Sequence, residues 1–177
     1  MNSWASVIIH SNNTKMKLSY AKGLSFGVAS GIVTTLGLMV GLYAGTQSKL
    51  AVLGGIVTIA IVDAMSDAFG IHLAEESSKH NKQTEVWEVA LATFVTKFIF
   101  ALTFALPVIF LDLKIAVMVS FAWGLFLLGI LSIMVARWRD ESILHAITEH
   151  WGITILVVFI SYYTGTLISS TFGSMTM

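Results

Sequence analysis

The sequence predicts an all-α, polytopic membrane protein with five transmembrane helices, and three observations lead to this fold class. Of the 177 residues, 56% are hydrophobic and only 11% are charged, whereas about 25% are charged in an average soluble domain. A soluble domain of this length buries only about 70% of its unfolded surface, which is too little to hide so many apolar side chains. Five apolar stretches reach the length of about 20 residues that a helix needs to cross a bilayer.

The five predicted spans differ in the charges that they carry. The second contains Asp63, Asp67 and His72. The third contains Glu88 near its start and Lys97 near its middle, and the other three contain no charge. None alternates with the period of two that transmembrane β-strands require. The predicted spans are residues 24–44, 51–73, 86–111, 115–136 and 151–171.

These spans predict a single membrane domain, residues 24–172, because the connections are too short for a second globular domain. It follows a short cytosolic segment, residues 1–23, and precedes a tail, residues 173–177. The first segment is polar and lacks the apolar core that precedes the cleavage site of a signal peptide.

Lysine and arginine residues between the spans predict the orientation, because cytoplasmic connections carry an excess of both. Seven lie on the side of the N-terminus and two on the opposite side, which predicts a cytosolic N-terminus and a C-terminus outside. The seven are Lys15, Lys17, Lys22, Lys79, Lys82, Arg137 and Arg139, and the two are Lys49 and Lys114.

Composition excludes several kinds of site. The chain has no cysteine, so it has no disulfide, thiolate metal site, iron–sulfur cluster or cysteine nucleophile. Ten basic residues balance ten acidic residues, so no overall field attracts nucleic acid. The sequence shows no nucleophile–base constellation and no cofactor motif, so we expect neither enzymatic activity nor a bound cofactor.

Two carboxylates in the second span are the strongest candidate for function. Asp67 follows Asp63 by one helical turn, about 6 Å along the axis and on the same face. A carboxylate at the middle of a bilayer costs about 2.5–3.5 kcal/mol on the insertion scale, and two on one face need a proton, a lysine or a metal ion between them. Hard divalent cations prefer carboxylate oxygen. The sequence therefore predicts an ion or proton site at these residues, with Met65 as an additional soft ligand and Ser66 on the pathway.

Lys97 lies near the middle of the third span, and two roles for it are open. It neutralises an aspartate in a structural ion pair, or it is a movable counter-charge that is released when a cation binds. A purely structural role is unusual because apolar replacement of a buried pair is often neutral or stabilising. An intramembrane aspartyl protease is disfavoured because both aspartates belong to one helix.

The first span carries two sets of glycines spaced by four, which predict close approach of another helix. Two interpretations are open: packing inside one subunit, or a dimer seam or conduit wall. Ser30 and Thr34 lie beside the first set and are candidate pathway hydroxyls. The glycines are Gly23, Gly27 and Gly31, followed by Gly37, Gly41 and Gly45.

Two polar clusters flank the spans on the predicted cytosolic side. His72, Glu75, Glu76 and His80 form either a cation-capturing cytosolic mouth or an ordinary solvated connection. In a second cluster, acidic residues and a histidine recur every four residues on a predicted short helix. Two interpretations are open: the cluster binds Fe²⁺ or Mn²⁺ weakly, or it simply faces water. Its members are Glu141, His145 and Glu149, with His150 adjacent.

Several segments resemble, in order, the spans of the vacuolar iron transporter family. Residues 27–42 are similar to its first span, and residues 63–78 to its second. Shorter matches to the later spans lie at residues 89–94, 105–107, 124–129 and 163–165. The resemblance implies a homodimer with an ion conduit between the first and second spans of both subunits, which exports Fe²⁺ or Mn²⁺ in exchange for protons.

The chain departs from this family at the family's metal ligands. Ser30 stands where the family has an aspartate in the first span, and the family's methionine and glutamate of the second span fall near Asp67 and Ile71. The family's long cytosolic metal-binding helices are also absent. Carboxylate in place of methionine shifts the ion preference toward harder divalent cations.

The sequence predicts a transmembrane transporter of divalent metal cations. The resemblance implies that the cargo is Fe²⁺ or Mn²⁺ and that efflux from the cytosol is coupled to protons. We expect a homodimer in a prokaryotic plasma membrane. Asp63 and Asp67 bind the ion, Ser30 and Thr34 supply further oxygens, and Lys97 balances charge. The alternatives are another substrate on the same scaffold and a structural or assembly protein that does not transport.

Overall fold

The computed structural model describes residues 3–78 and 82–173, with side chains from residue 19 onward in those ranges. The described backbone is all-helical, and five helical segments are long and apolar enough to cross a membrane. These findings confirm the predicted all-helical fold with five candidate spans, and the orientation of the two termini stays a prediction. The helices are α1 (Ser3–Thr46), α2 (Lys49–Glu76), α3 (Gln83–Thr103), α4 (Ala105–Phe110), α5 (Leu113–Arg139) and α6 (Ile143–Phe172).

Two helices begin earlier than the apolar pattern predicts. Helix α1 begins at Ser3, so the polar segment predicted to precede the first span is itself helical over most of its length. Helix α6 begins at Ile143 rather than at Trp151, and the short helix predicted there forms its first turns. Both differences have the same cause: neither stretch contains a proline or glycine to end a helix.

Helices α3 and α4 form one span that is interrupted at Phe104. Pro107 cannot donate a hydrogen bond to the carbonyl of Thr103, and its ring crowds that carbonyl. The α-helix therefore ends at Thr103, and the N–H of Phe104 donates instead to Ala101, at 3.2 Å. The Phe104 side chain at this interruption is fully buried in the core.

Helix α1 is the central helix, and its two glycine sets explain why. The first set lies against α3: a Cβ atom built on Gly27 would be 2.7 Å from the carbonyl oxygen of Thr93. The second set lies against α6: a Cβ atom on Gly41 would be 3.4 Å from the carbonyl oxygen of Ser161. Both glycine faces are thus used for packing inside one subunit, which is the first of the two interpretations above.

The remaining packing leaves broad apolar faces at the periphery. Ile32 and Leu36 of α1 bury themselves against α5 at Gly124, where a Cβ atom would collide with Leu36. In contrast, only 11% of the apolar window of α6 and 22% of that of α2 are buried. Such helices are suited to a bilayer, in which apolar faces need no protein cover.

Candidate functional site

Four polar side chains from three spans meet inside the bundle, and we call them the central cluster: Ser30 of α1, Asp63 and Asp67 of α2, and Lys97 of α3. The ammonium nitrogen of Lys97 lies 2.5 Å from Oδ2 of Asp63 and 2.5 Å from Oδ2 of Asp67. It also donates a hydrogen bond to Ser30 Oγ, at 2.9 Å. Ser30 in turn donates to Asp67 Oδ2, at 2.6 Å. One cationic group thus sits between both carboxylates.

The sequence positions these groups through two local features. The spacing of four residues puts Asp63 and Asp67 on one face of α2. Gly27 and Gly31 let α1 approach α3 closely enough for Ser30 to reach Lys97. Thr34 lies one turn further on α1 and donates to the carbonyl of Ser30, at 2.7 Å, so its hydroxyl is bonded to its own helix.

The central cluster lies near the middle of the candidate spans that contribute to it. Asp63 falls at the centre of the span Lys49–Glu76, and Lys97 at the centre of the span Gln83–Phe110. Each is therefore about 20 Å from either end of its span. The Lys97 side chain is 1% exposed, whereas those of Asp63 and Asp67 are 32% and 23% exposed. The lysine is buried and the aspartates border open space.

The two aspartates do not hold Lys97 in the same way. Asp67 accepts a hydrogen bond from the ammonium group. Asp63 Oδ2 is in ionic contact with the same nitrogen, but the orientation is not that of a hydrogen bond, and this buried oxygen accepts none from the described residues. With all three groups ionised, the two carboxylates and one ammonium group carry a formal charge of −1.

A cavity of about 430 Å³ between α1 and α2 reaches Asp63. Its walls come from the half of α2 between Gly55 and Asp63, together with Leu38 of α1, so it extends from the central cluster toward the Lys49 end of the helix. The predicted pathway residue Ser66 also lines it. Sequence analysis missed Gly55 and Thr58 in this wall, because an isolated glycine or threonine in an apolar span has no distinctive signal.

Met65 does not lie with the carboxylates that it was predicted to assist. It lines a different cavity, on the α3 side of α2, and its side chain is 59% exposed. Successive helical residues turn by about 100°, so Met65, two residues from each aspartate, points to the opposite side of the helix.

The predicted cytosolic mouth is divided among separate contacts. His72 Nε2 lies 3.8 Å from Glu76 Oε2, and its ring packs against Trp87 with 4.5 Å between the ring centres. Glu75 pairs with Lys22 across helices, at 3.3 Å. His80 lies outside the described residues.

The other predicted polar cluster is also divided. His150 Nδ1 lies 2.7 Å from Ser132 Oγ, and the Ser132 hydroxyl also lies 2.6 Å from the carbonyl oxygen of Leu128. Glu141 pairs with Arg139, at 2.8 Å. Among the described side chains, in residues 19–78 and 82–173, no three histidine, aspartate or glutamate residues converge at one point.

No protein-family model matches the chain, and no curated protein matches it. The geometry of the central cluster therefore carries the functional argument.

Proposed function

We propose that the protein transports divalent metal cations across the membrane, with Asp63 and Asp67 as the ion-binding groups. One observation carries the proposal: the ammonium group of Lys97 occupies the point between two carboxylates, in the middle of three spans, where a cation would bind. The Ser30 hydroxyl supplies a further oxygen at the same point. Carboxylate and hydroxyl oxygens are the ligands that hard divalent ions prefer.

Partial exposure of the aspartates supports transport over a purely structural ion pair. A structural pair needs no contact with open space, yet Asp63 borders a cavity of about 430 Å³. Ionisable groups inside membrane spans commonly mark ion pathways. In the predicted orientation, this cavity leads from the central cluster toward the outside, which is the direction that efflux requires.

Binding of a cargo ion requires Lys97 to move. An ion between the carboxylates would compete for the same two oxygens, and two positive charges a few ångströms apart repel strongly in a low-dielectric interior. The stem of Lys97 packs closely against Gly31, since a Cβ atom on Gly31 would lie 3.3 Å from Lys97 Cγ. We therefore expect the Lys97 side chain to stay fixed up to Cγ, while the atoms beyond Cγ rotate and carry the ammonium group away from the aspartates.

The resemblance noted in the sequence supplies the remaining parts of the proposal. Fe²⁺ and Mn²⁺ are the first cargo ions to test, and a proton gradient is the first driving force. The resemblance also supplies the homodimer, whereas a prokaryotic plasma membrane is proposed on the small size of the chain. Since the glycine faces of α1 are used inside the subunit, a second copy has the exposed faces of α2 and α6 to pack against.

Replacing Asp67 by asparagine tests the site directly. We expect Asp67→Asn to weaken Mn²⁺ binding by at least about tenfold, because it removes one of two charged ligands and about 1.4 kcal/mol corresponds to a factor of ten. Electron paramagnetic resonance of free Mn²⁺ measures the binding. Asp112→Asn is the matched control, since Asp112 lies outside the central cluster, at the N-cap of α5. Equal affinity in wild type and Asp67→Asn would remove Asp67 from the site.

A second candidate function, structural support without transport, rests on the same contacts. Lys97 already pairs with both aspartates. Its ammonium group neutralises one of the two carboxylate charges without an added ion. A cargo of another kind is the remaining alternative. Competition of Mg²⁺, Ca²⁺ and monovalent ions against bound Mn²⁺ separates these possibilities.

A further inference from the structure

A second cavity, of about 410 Å³, lies between α2 and α3 and is separate from the one that reaches Asp63. We call it the lateral groove. Apolar side chains from both helices form most of its wall, and a histidine and a tryptophan are its polar members. Its principal lining residues are Met65, Phe69, His72, Trp87, Leu91 and Phe94.

The lateral groove opens toward the bilayer. Met65 and Phe69 of α2 and Trp87 and Leu91 of α3 are each more than half exposed, and all four belong to membrane spans. An occupant therefore enters sideways from the lipid phase and has an apolar body.

One end of the lateral groove is suited to the polar part of a lipid. The rings of His72 and Trp87 pack against each other there at a tilt of 55°, with 4.5 Å between their ring centres. Each lies four residues from the end of its span, Glu76 or Gln83, which is about 6 Å of helix. Imidazole and indole rings at this depth meet the ester region of a bilayer, where tryptophan is enriched because its N–H binds lipid oxygens.

The lateral groove matches the length and volume of part of a hydrocarbon chain. From Met65 to His72 it follows about 10 Å of helix, and its volume is about 410 Å³. The volume also lies within the range of about 300–1,000 Å³ that is typical of small-molecule sites.

We propose that the lateral groove is a lipid-binding site that holds one acyl chain of a phospholipid, with the ester oxygens of that lipid against His72 and Trp87. The proposal is independent of ion transport, because none of the residues of the central cluster lines the groove.

Filling the lateral groove tests the proposal. Ala68 lines it, and Ala68→Phe places a ring in the space of the chain. Ala122→Phe is the matched control, because Ala122 is exposed on α5, outside the groove. The purified variants are incubated with palmitoyl-oleoyl phosphatidylcholine and examined by native mass spectrometry. We expect one tightly retained lipid per chain in wild type and in Ala122→Phe, and about tenfold less retention in Ala68→Phe.

Fluorescence quenching locates the lipid. The variants are placed in vesicles of dibrominated phosphatidylcholine, whose bromine atoms quench tryptophan fluorescence. The emission of Trp87 is obtained by subtracting the emission of Trp87→Phe from that of wild type. We expect Ala68→Phe to reduce the quenching of Trp87. If Ala68→Phe does not fold, Leu91→Phe takes its place. Equal retention and equal quenching in all variants would overturn the proposal. The proposal would also be overturned if wild type forms a dimer without bound lipid and Ala68→Phe is monomeric. In that case a second copy of the chain covers the lateral groove.

Discussion

Replacing Lys97 by methionine is expected to destabilise the protein strongly and to make its stability depend on added divalent cations. The Lys97 side chain is 1% exposed and is the positive charge between Asp63 and Asp67. Removing one partner of a buried ion pair costs about 3–5 kcal/mol, because the other charge stays buried without compensation. The partial exposure of both aspartates places the expected loss at the lower end, about 3 kcal/mol.

The ion dependence distinguishes a transport site from a structural pair. If the central cluster binds cargo, Mn²⁺ takes the place of the missing ammonium group and restores stability. When the Mn²⁺ concentration is ten times the dissociation constant, binding adds about 1.4 kcal/mol to the free energy of unfolding. Thermal unfolding in detergent, with and without MnCl₂, measures the effect.

A triple variant is the control for this experiment. Asp63→Asn, Asp67→Asn and Lys97→Met together remove all the charges, and replacing a complete buried pair is often neutral. We expect this variant to unfold near the wild-type temperature and to ignore Mn²⁺. If Mn²⁺ leaves Lys97→Met unchanged as well, the central cluster is a structural ion pair and the second candidate function is correct.

Replacing Gly27 is expected to disrupt the packing of α1 against α3. A Cβ atom there would lie 2.7 Å from the carbonyl oxygen of Thr93 and 3.2 Å from the backbone nitrogen of Lys97. Both atoms belong to the backbone of α3, so neither can rotate away, and α1 and α3 must separate. Overpacking of this kind costs about 1–3 kcal/mol. We therefore expect Gly27→Ala to lower stability by this amount and Gly27→Leu to prevent folding.

Gly54→Ala is the matched control, because a Cβ atom on Gly54 meets nothing within 4 Å. Alanine favours a helix over glycine by up to about 1 kcal/mol, so this change should be neutral or slightly stabilising. Unfolding temperatures and size-exclusion profiles of Gly27→Ala and Gly54→Ala make the comparison. Equal stability of the two variants would show that α1 and α3 do not pack as closely as described.

Hydrophobic length predicted the spans well, but it did not predict where the helices begin. An apolar run shows which residues can lie in lipid, whereas a helix continues through polar residues until a proline, glycine or cap ends it. The polar turns at the start of α1 and of α6 were missed for this reason.

The candidate site was predictable only in part. The spacing of Asp63 and Asp67 fixes them on one face, and simple helix geometry would also have placed Met65 on the other. The meeting of Ser30 with Lys97 depends on how α1 is aligned with α3. Glycine spacing shows that some helix packs closely against α1, but it does not identify that helix.

Flux of Fe²⁺ and Mn²⁺ into proteoliposomes under an imposed pH gradient tests the central claim most directly. Wild type, the double variant Asp63→Asn/Asp67→Asn and the control Asp112→Asn are compared in protein shown to be folded. The account predicts flux in wild type and in the control that requires the pH gradient, and none in the double variant. Absence of flux in wild type, or equal flux in the double variant, would contradict the assignment of the central cluster as the transport site.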